Sequence, residues 1–393
     1  MRKSALLLSS GLLFISAAYS HEVQRGPVQL IATGLSVALS YSYRDKSYIE
    51  QDSEWQIPGA LMGGEALPVE DDATLDDATA DYRYAFSPNN GIQISAEAHG
   101  GQFNFSHYWY MHQWNLADTR VRIEAGKMFA TFAPHANWHA SQDAYSEASL
   151  TGDILWGRSL VDTGLRGSMQ KGPWLAGAEV WRGDSWLAKN GHAVDVFIGY
   201  GNRIGKLTLD VSGWLLQAEA ERRRDSRYFG GHSHGNVVVT SNDAYFTGDI
   251  QAAGIDAQLS YPTGTNAELR LDLSASKLEQ DGDVVESQRR AKLDSDYTAW
   301  QIGVSWRLAR HEVAARYEQL SLDNSLSGAA AILVGSNTSL DNPDGLDPAR
   351  GTVAYRFHYN SNLTLRLELV DEQVAGIDQD RWVAGFVLRN LFE

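Results

Sequence analysis

The sequence contains no cysteine. An exported chain without cysteine has no disulfides and no cysteine to carry a lipid anchor. Beyond the first twenty residues it also lacks any apolar run long enough for a membrane helix, which excludes helical membrane spans. Basic residues are in deficit: 33 Lys and Arg stand against 49 Asp and Glu, for a formal charge of −16. Phosphate binding needs a basic face, so nucleic acid is not an expected partner. What the chain does hold is aromatic and small: 12 Trp, 17 Tyr, 12 Phe and 36 Gly among 393 residues. A transmembrane β-barrel has this balance, because only alternate strand residues meet lipid, aromatic rings gather at the interfaces, and glycine eases a curved sheet.

The N-terminus has the pattern of an export signal. Two basic residues, Arg2 and Lys3, precede an apolar run over 5–18 and a small-residue end at Ser20. Cleavage after Ser20 is expected, leaving 21–393 as the mature barrel, two charges more acidic than the full chain.

A period of two dominates the rest. Over 119–132, Val121, Ile123 and Ala125 alternate with Arg120, Arg122 and Glu124. Over 158–169, Val161, Thr163, Leu165 and Met169 alternate with Asp162, Gly164, Arg166 and Ser168. Ionised groups in mid-strand fit a wall between lipid and a wet lumen. About sixteen such strands are predicted: 28–43, 78–86, 91–99, 103–115, 119–132, 158–170, 173–183, 192–201, 206–219, 245–261, 267–279, 296–308, 312–323, 349–359, 363–373 and 380–392. Odd-numbered connections are mostly long and polar (44–77, 133–157, 184–191, 220–244, 280–295, 324–348), with a short link at Gly100-Gly101. Even-numbered ones are short turns such as that at 87–91. The fold class expected is therefore all-β: a transmembrane antiparallel barrel with short periplasmic turns, long external loops and both termini on the periplasmic side.

Trp382, Ala384, Phe386, Leu388 and Phe392 share one parity of the last strand, broken by Asn390. Here the chain resembles bacterial outer-membrane porins, which end in an alternating strand closing on an aromatic residue; this chain adds Glu393 after Phe392. The stretch 125–134, AGKMFATFAP, is similar to the glycine–basic–aromatic and Phe-x-Pro segment that leads into a long loop in phosphate-selective and related porins. The resemblance implies the outer membrane of a Gram-negative cell, contact with its lipid and lipopolysaccharide, small hydrophilic solutes as passengers, no cofactor and no enzymatic activity. It also admits a homotrimer. As a porin-like third loop, 133–157 is expected to fold into the lumen; an outward external loop is the alternative.

The pore-lining basic residues expected on the lumen parity are Arg307, Arg316, Arg356, Arg366, Arg381 and Arg389, with Arg120, Arg122, Lys127 and Arg166 near the root of the insertion. Facing lipid, such a charge costs about 2–4 kcal/mol at mid-membrane. Opposite this basic wall, Asp143, Glu147 and Asp153 of the insertion are expected to set up a transverse field across a constriction. The bland alternative is a set of structural ion pairs. His232 and His234, in the stretch GGHSHG, form a His-x-His pair that could ligate a transition metal, although a solvated polar loop explains them as well. The same residues spell G-x-S-x-G, but polar flanks argue against the strand-to-helix turn a serine nucleophile needs. The acidic pairs Asp71-Asp72 and Asp76-Asp77 are expected in an external loop. The function expected is a passive porin, with an anion- or phosphate-preferring variant. The alternative is a plugged barrel with a ligand-binding, metal-related or adhesion role.

Overall fold

In the computed structural model the described residues are 33–47, 57, 59–64, 66, 71–99, 102–133, 136–224, 244–338, 340–341, 347–374 and 376–392. The export signal at 1–20, His232, His234 and Glu393 lie outside them. The chain builds β1 (Gly34–Arg44), β2 (Asp72–Ser87), β3 (Asn90–His99), β4 (Gln102–Leu116), β5 (Thr119–Phe129), α1 (Leu150–Trp156), β6 (Val161–Lys171), β7 (Trp174–Trp181) and β8 (His192–Ile204). It continues through β9 (Leu207–Arg224), β10 (Tyr245–Gly264), β11 (Ala267–Glu286), β12 (Arg289–Leu308), β13 (His311–Ser327), α2 (Ala331–Thr338), β14 (Ala349–His358), β15 (Leu363–Val374) and β16 (Ile377–Phe392). Each strand is antiparallel to its neighbours in sequence, and β1 pairs with β16 to close the barrel, Leu35 opposite Phe392 and Tyr43 opposite Ala384. Closure leaves no edge strand, which is what allows a sheet to cross lipid. No described helix is long and apolar enough to cross a membrane.

Alternation decides which side of the wall each residue faces. On β12 the outer face shows Trp300, Ile302, Val304, Trp306 and Leu308, all exposed, while Tyr297, Ala299 and Gln301 are buried inside. On β15 Leu365, Leu367 and Leu369 face out, and Arg366, Glu368 and Glu372 are buried within. Placed outside at mid-membrane, one of those arginines would cost about 2–4 kcal/mol, so the register is strongly determined.

One connection differs from expectation. The stretch 280–295 is not a loop: β11 and β12 run on through it and meet at a tight turn where Ser287 has φ 56°. The period of two persists there, with Leu278, Val284, Ala291 and Leu293 buried inside. Only the outer face changes, from Leu269, Leu271 and Leu273 to Lys277, Glu279, Asp281 and Asp283. Exposed ion pairs link Lys277 to Asp296 at 2.7 Å and Lys292 to Asp281 at 3.1 Å. A charged outer face means water outside. Strands of 20 residues are about 65 Å long at about 3.3 Å per residue. Tilted by about 40°, they stand about 50 Å tall, twice the roughly 25 Å apolar band of such barrels. β10–β12 therefore rise well above the membrane.

The acidic stretch 71–77 is likewise strand rather than loop, since β2 begins at Asp72. Asp76 and Asp77 face the lumen, where they accept hydrogen bonds from Ser40, Ser42, Arg44 and Ser141.

Candidate functional site

The connection between β5 and β6 folds inward across the barrel. Residues 145–157 are all buried. The segment acts as a strap across the lumen. Its two ends are held together where Asn137 bridges Ser159 and Leu160 donates to the Ala136 carbonyl at 2.7 Å. Its one helix, α1, is started by Ser149, whose hydroxyl accepts from the Gly152 amide at 2.9 Å, and is ended by Gly157 at φ 61°. Gly157 also lies against the loop between β1 and β2: a Cβ there would sit 2.5 Å from the Gly63 carbonyl oxygen.

Two kinds of packing hold the strap. Towards β5–β13 it is apolar. Phe132, Trp156 and Trp214 of β9 form a ring cluster with centroids 5.1–5.6 Å apart. Ile57, Leu61 and Met62 of the first connection join the same core, with Phe246, Val284, Leu293, Leu322, Val334 and Leu340. Tyr297 and Asn324 each donate to the Gly59 carbonyl at 2.7 Å, which fixes that connection inside the barrel.

Towards β13–β16 and β1 the strap is ionic. Glu147 accepts from Arg381 at 2.6 and 3.0 Å and from Arg44 at 3.4 Å, and its side chain is only 2 % exposed. Burial pushes the Glu147 carboxyl up, but the charge of Arg381, its hydrogen bond and the charge of Arg44 outweigh this and hold it well below the ordinary carboxylate range. Arg381 and Arg350 both bind Glu372 as well. Backbone carbonyls of the strap take further guanidinium donors: Ala148 from Arg350 at 2.9 Å and Arg316 at 3.2 Å, Ala140 from Arg366 at 3.2 Å, and Ser141 from Arg389 at 2.6 Å. Two wall carboxylates answer strap donors: Glu368 accepts from Ser146 at 2.8 and 2.9 Å, and Glu318 from the Leu150 amide at 2.8 Å. Tyr145 packs under the guanidinium of Arg316 at 4.4 Å, and burial pushes its phenol up.

The expected acidic and basic residues are therefore in contact rather than opposed across water. Glu147 is locked onto the arginine wall. Asp153 pairs locally, with Arg158 just past the insertion, at 2.7 Å. Asp143 accepts from the Tyr145 amide at 3.0 Å and keeps partial exposure. A field between an acidic loop and a facing basic wall is thus not what these carboxylates form, because the segment was drawn to the arginines themselves.

The expected basic residues divide in the same way. Arg316, Arg366, Arg381 and Arg389 bind the strap, joined by Arg356 at 3.5 Å from the Asp143 carbonyl. Arg356 also pairs with Glu312, which His358 reaches at 2.8 Å. Arg166 is buried between Glu124, at 3.0 Å, and Glu179. Arg120 and Arg122 face inward below the strap, with Arg122 3.7 Å from Glu124. Arg307 donates to the Ala309 carbonyl, at 3.4 Å beside the short turn. Lys127 does not line the pore: it is opposite exposed Tyr108 and shares the outer face of Ile123 and Leu165. Arg44 and Arg350 are wall residues that sequence reasoning missed. Both lie on the inward parity of their strands, beside Ser42 and Thr352, and that was the available sign.

Among the described residues no group of three or more His, Asp or Glu side chains is placed to hold a metal ion.

The fold is that of bacterial outer-membrane porins. It is similar to OprB of Pseudomonas putida, with 12 % identity and a TM-score of 0.55 over 94 % of this chain and 95 % of that one. It is similar to the outer membrane channel DcaP of Acinetobacter baumannii, with 12 % identity and a TM-score of 0.53 over 92 % and 97 %. A loop-deletion mutant of OmpT, an outer membrane protein of Vibrio cholerae, aligns at 11 % identity and a TM-score of 0.52 over 92 % and 100 %. No protein-family model and no curated protein matches the sequence.

Proposed function

We propose that the protein is an outer-membrane porin that passes small hydrophilic solutes through a lumen narrowed by the strap. The observation that carries this reading is the two-faced wall: an apolar outer band and an inner face that stays polar and charged down to the periplasmic rim. Below the strap, Arg122, Arg270, Asp272, Arg307, Arg356 and Arg389 all face the lumen with partial exposure. Such a bowl holds water and ions. Purified, folded protein in a planar bilayer is expected to give stable conductance steps. A folded, heat-modifiable barrel that never conducts would overturn the reading.

The burial of 145–157 favours a second reading, a plugged barrel whose strap moves only when a ligand binds. Blocked conductance with retained ligand binding would support it. An anion or phosphate preference, for which Arg120, Arg122 and Arg389 are the candidate residues, is tested by reversal potentials under a salt gradient; a cation preference excludes it. The reading carries with it an outer-membrane location, lipopolysaccharide around the barrel, a homotrimer as the assembly to test by crosslinking, and removal of 1–20 on export. The mature N-terminus is then His21, which N-terminal sequencing checks.

A further inference from the structure

The strap is also tied to β2–β4, by different chemistry. His139 of the strap places Nδ1 3.6 Å from Asp77 Oδ2 and Nε2 3.8 Å from Glu97 Oε1. His107 of β4 places Nδ1 3.4 Å from the same Glu97 oxygen and Nε2 3.6 Å from Asp81 Oδ1. Glu97 thus stands between two imidazoles, one on the wall and one on the strap. Both rings are buried, and the Phe129 ring packs against both, at 4.4 Å from His107 and 5.4 Å from His139. Asp77 also accepts from the amide and hydroxyl of Ser141, each at 2.8 Å.

Charge sets the protonation state this cluster favours. The four nitrogen–carboxylate contacts lie at ion-pair distances of 3.4–3.8 Å, and only an imidazolium carries the charge that answers a carboxylate. Asp77 and Asp81 of β2 and Glu97 of β3 bring three carboxylates to the rings. The cations nearby are Arg83, which acts on Asp81 from β2, and Arg366 and Arg389 of β15 and β16, whose guanidiniums bind the strap carbonyls at 140 and 141. His107 also has neutral partners, the Gln93 amide nitrogen 3.3 Å from Nε2 and the Ser106 hydroxyl 3.0 Å from Nδ1, whereas the strap ring His139 faces Asp77 and Glu97.

We propose that His139, seated between Asp77 and the Glu97 carboxylate it shares with His107, is a proton-dependent latch that holds the strap to β2–β4 when protonated and releases it when the imidazolium proton passes to the solvent. The closed form then binds more protons than the open form, so opening rises with pH, by up to tenfold per pH unit for each proton released. As the gate of a channel the latch rests on the porin reading; as a structural switch it does not.

Hydrogen exchange of the intact barrel in nanodiscs separates the two. Exchange of peptides spanning 136–149 is followed at about pH 5.5 and about pH 8.5, on either side of the imidazole range, and corrected for intrinsic rates. Wild-type protein is expected to open at least about tenfold more at the higher pH, while the β11–β12 hairpin stays unchanged. His139→Asn lies in the strap, leaves strand pairing intact and is expected to abolish the pH dependence, whereas His107→Asn, which removes contacts between wall residues, is expected to leave it in place. Corrected exchange independent of pH in wild type overturns the latch, as does a pH dependence that survives in the folded His139→Asn variant. Conductance is recorded in parallel. Absent conductance with pH-dependent exchange refutes the porin reading and supports the latch; conductance with pH-independent exchange does the reverse.

Discussion

Replacing Glu147 by Gln should release the strap without unfolding the barrel. The substitution keeps shape and removes the charge that Arg381 and Arg44 share. Breaking a buried ion pair by removing one partner costs about 3–5 kcal/mol. Both arginines keep a second carboxylate here, Arg381 with Glu372 at 2.7 Å and Arg44 with Asp76 at 2.8 Å. Neither is left wholly uncompensated, so the low end applies, about 3 kcal/mol. At about 1.4 kcal/mol per factor of ten, this moves the strap equilibrium about a hundredfold towards open. The assay is single-channel recording, read as the fraction of time in the conducting state. Exchange of peptides from 145–157 provides a readout independent of conductance. The thermal unfolding midpoint of the barrel should stay put, because none of the sixteen strand pairings involves Glu147. An open fraction and exchange pattern identical to wild type would refute the claim that this pair latches the strap. Loss of the barrel itself would show that strap and wall fold as one unit.

Because the carboxyl of Glu147 titrates well below the ordinary range, its contribution is present above the unfolded-state value near pH 4 and is lost only as pH falls through the lower folded value. Exchange in 150–157, beyond the peptides that report on His139, should therefore hold constant from neutral pH to about pH 5 and rise only in stronger acid. Gly157→Ala places a Cβ at φ 61° and 2.5 Å from the Gly63 oxygen. The left-handed conformation alone costs about 1–2 kcal/mol, so exchange in both 57–64 and 150–157 should rise at least about tenfold. Val304→Arg, on the lipid face, should destabilise the barrel by about 2–4 kcal/mol, seen as a lower midpoint in unfolding from vesicles. Lys292→Gln, outside the membrane on the same strand, loses only an exposed ion pair and should shift that midpoint by the equivalent of less than about 1 kcal/mol.

The barrel was legible because its inner and outer faces differ so sharply. A period of two with charge on one parity marks a strand in any membrane barrel, and even the weakly apolar β6 (VDTGLRGSMQK) shows it. The top of β11 and β12 was not legible for the converse reason. Lys277, Glu279, Asp281 and Asp283 on the outer parity look like loop composition, although Leu278 and Val284 keep the beat inside. The infolding of 133–157 could be expected from resemblance to porins, but its partners could not. Glu147 and Arg381 are 234 residues apart, and nothing local selects that pair over another. Lys127 shows the opposite failure: its odd number, shared with Val121, Ile123 and Ala125, already placed it outside. The first connection hid its role best, since Ile57, Leu61 and Met62 gain meaning only beside Trp156, which is distant in sequence.

The height of β10–β12 has a thermodynamic consequence. Within the bilayer the outward leucines meet lipid as apolar as themselves, and placing them there gains little from the hydrophobic effect. Above it, the wall separates bulk water from Phe246, Ile250, Leu293 and Leu322, and each buried aliphatic or aromatic side chain contributes about 1.5–3 kcal/mol, as in any water-soluble protein. The molecule thus folds in two solvents at once. Urea, which weakens burial from water, should soften the upper chamber first and leave the lipid-clad cylinder standing, so that the cap melts like a soluble domain whose scaffold does not.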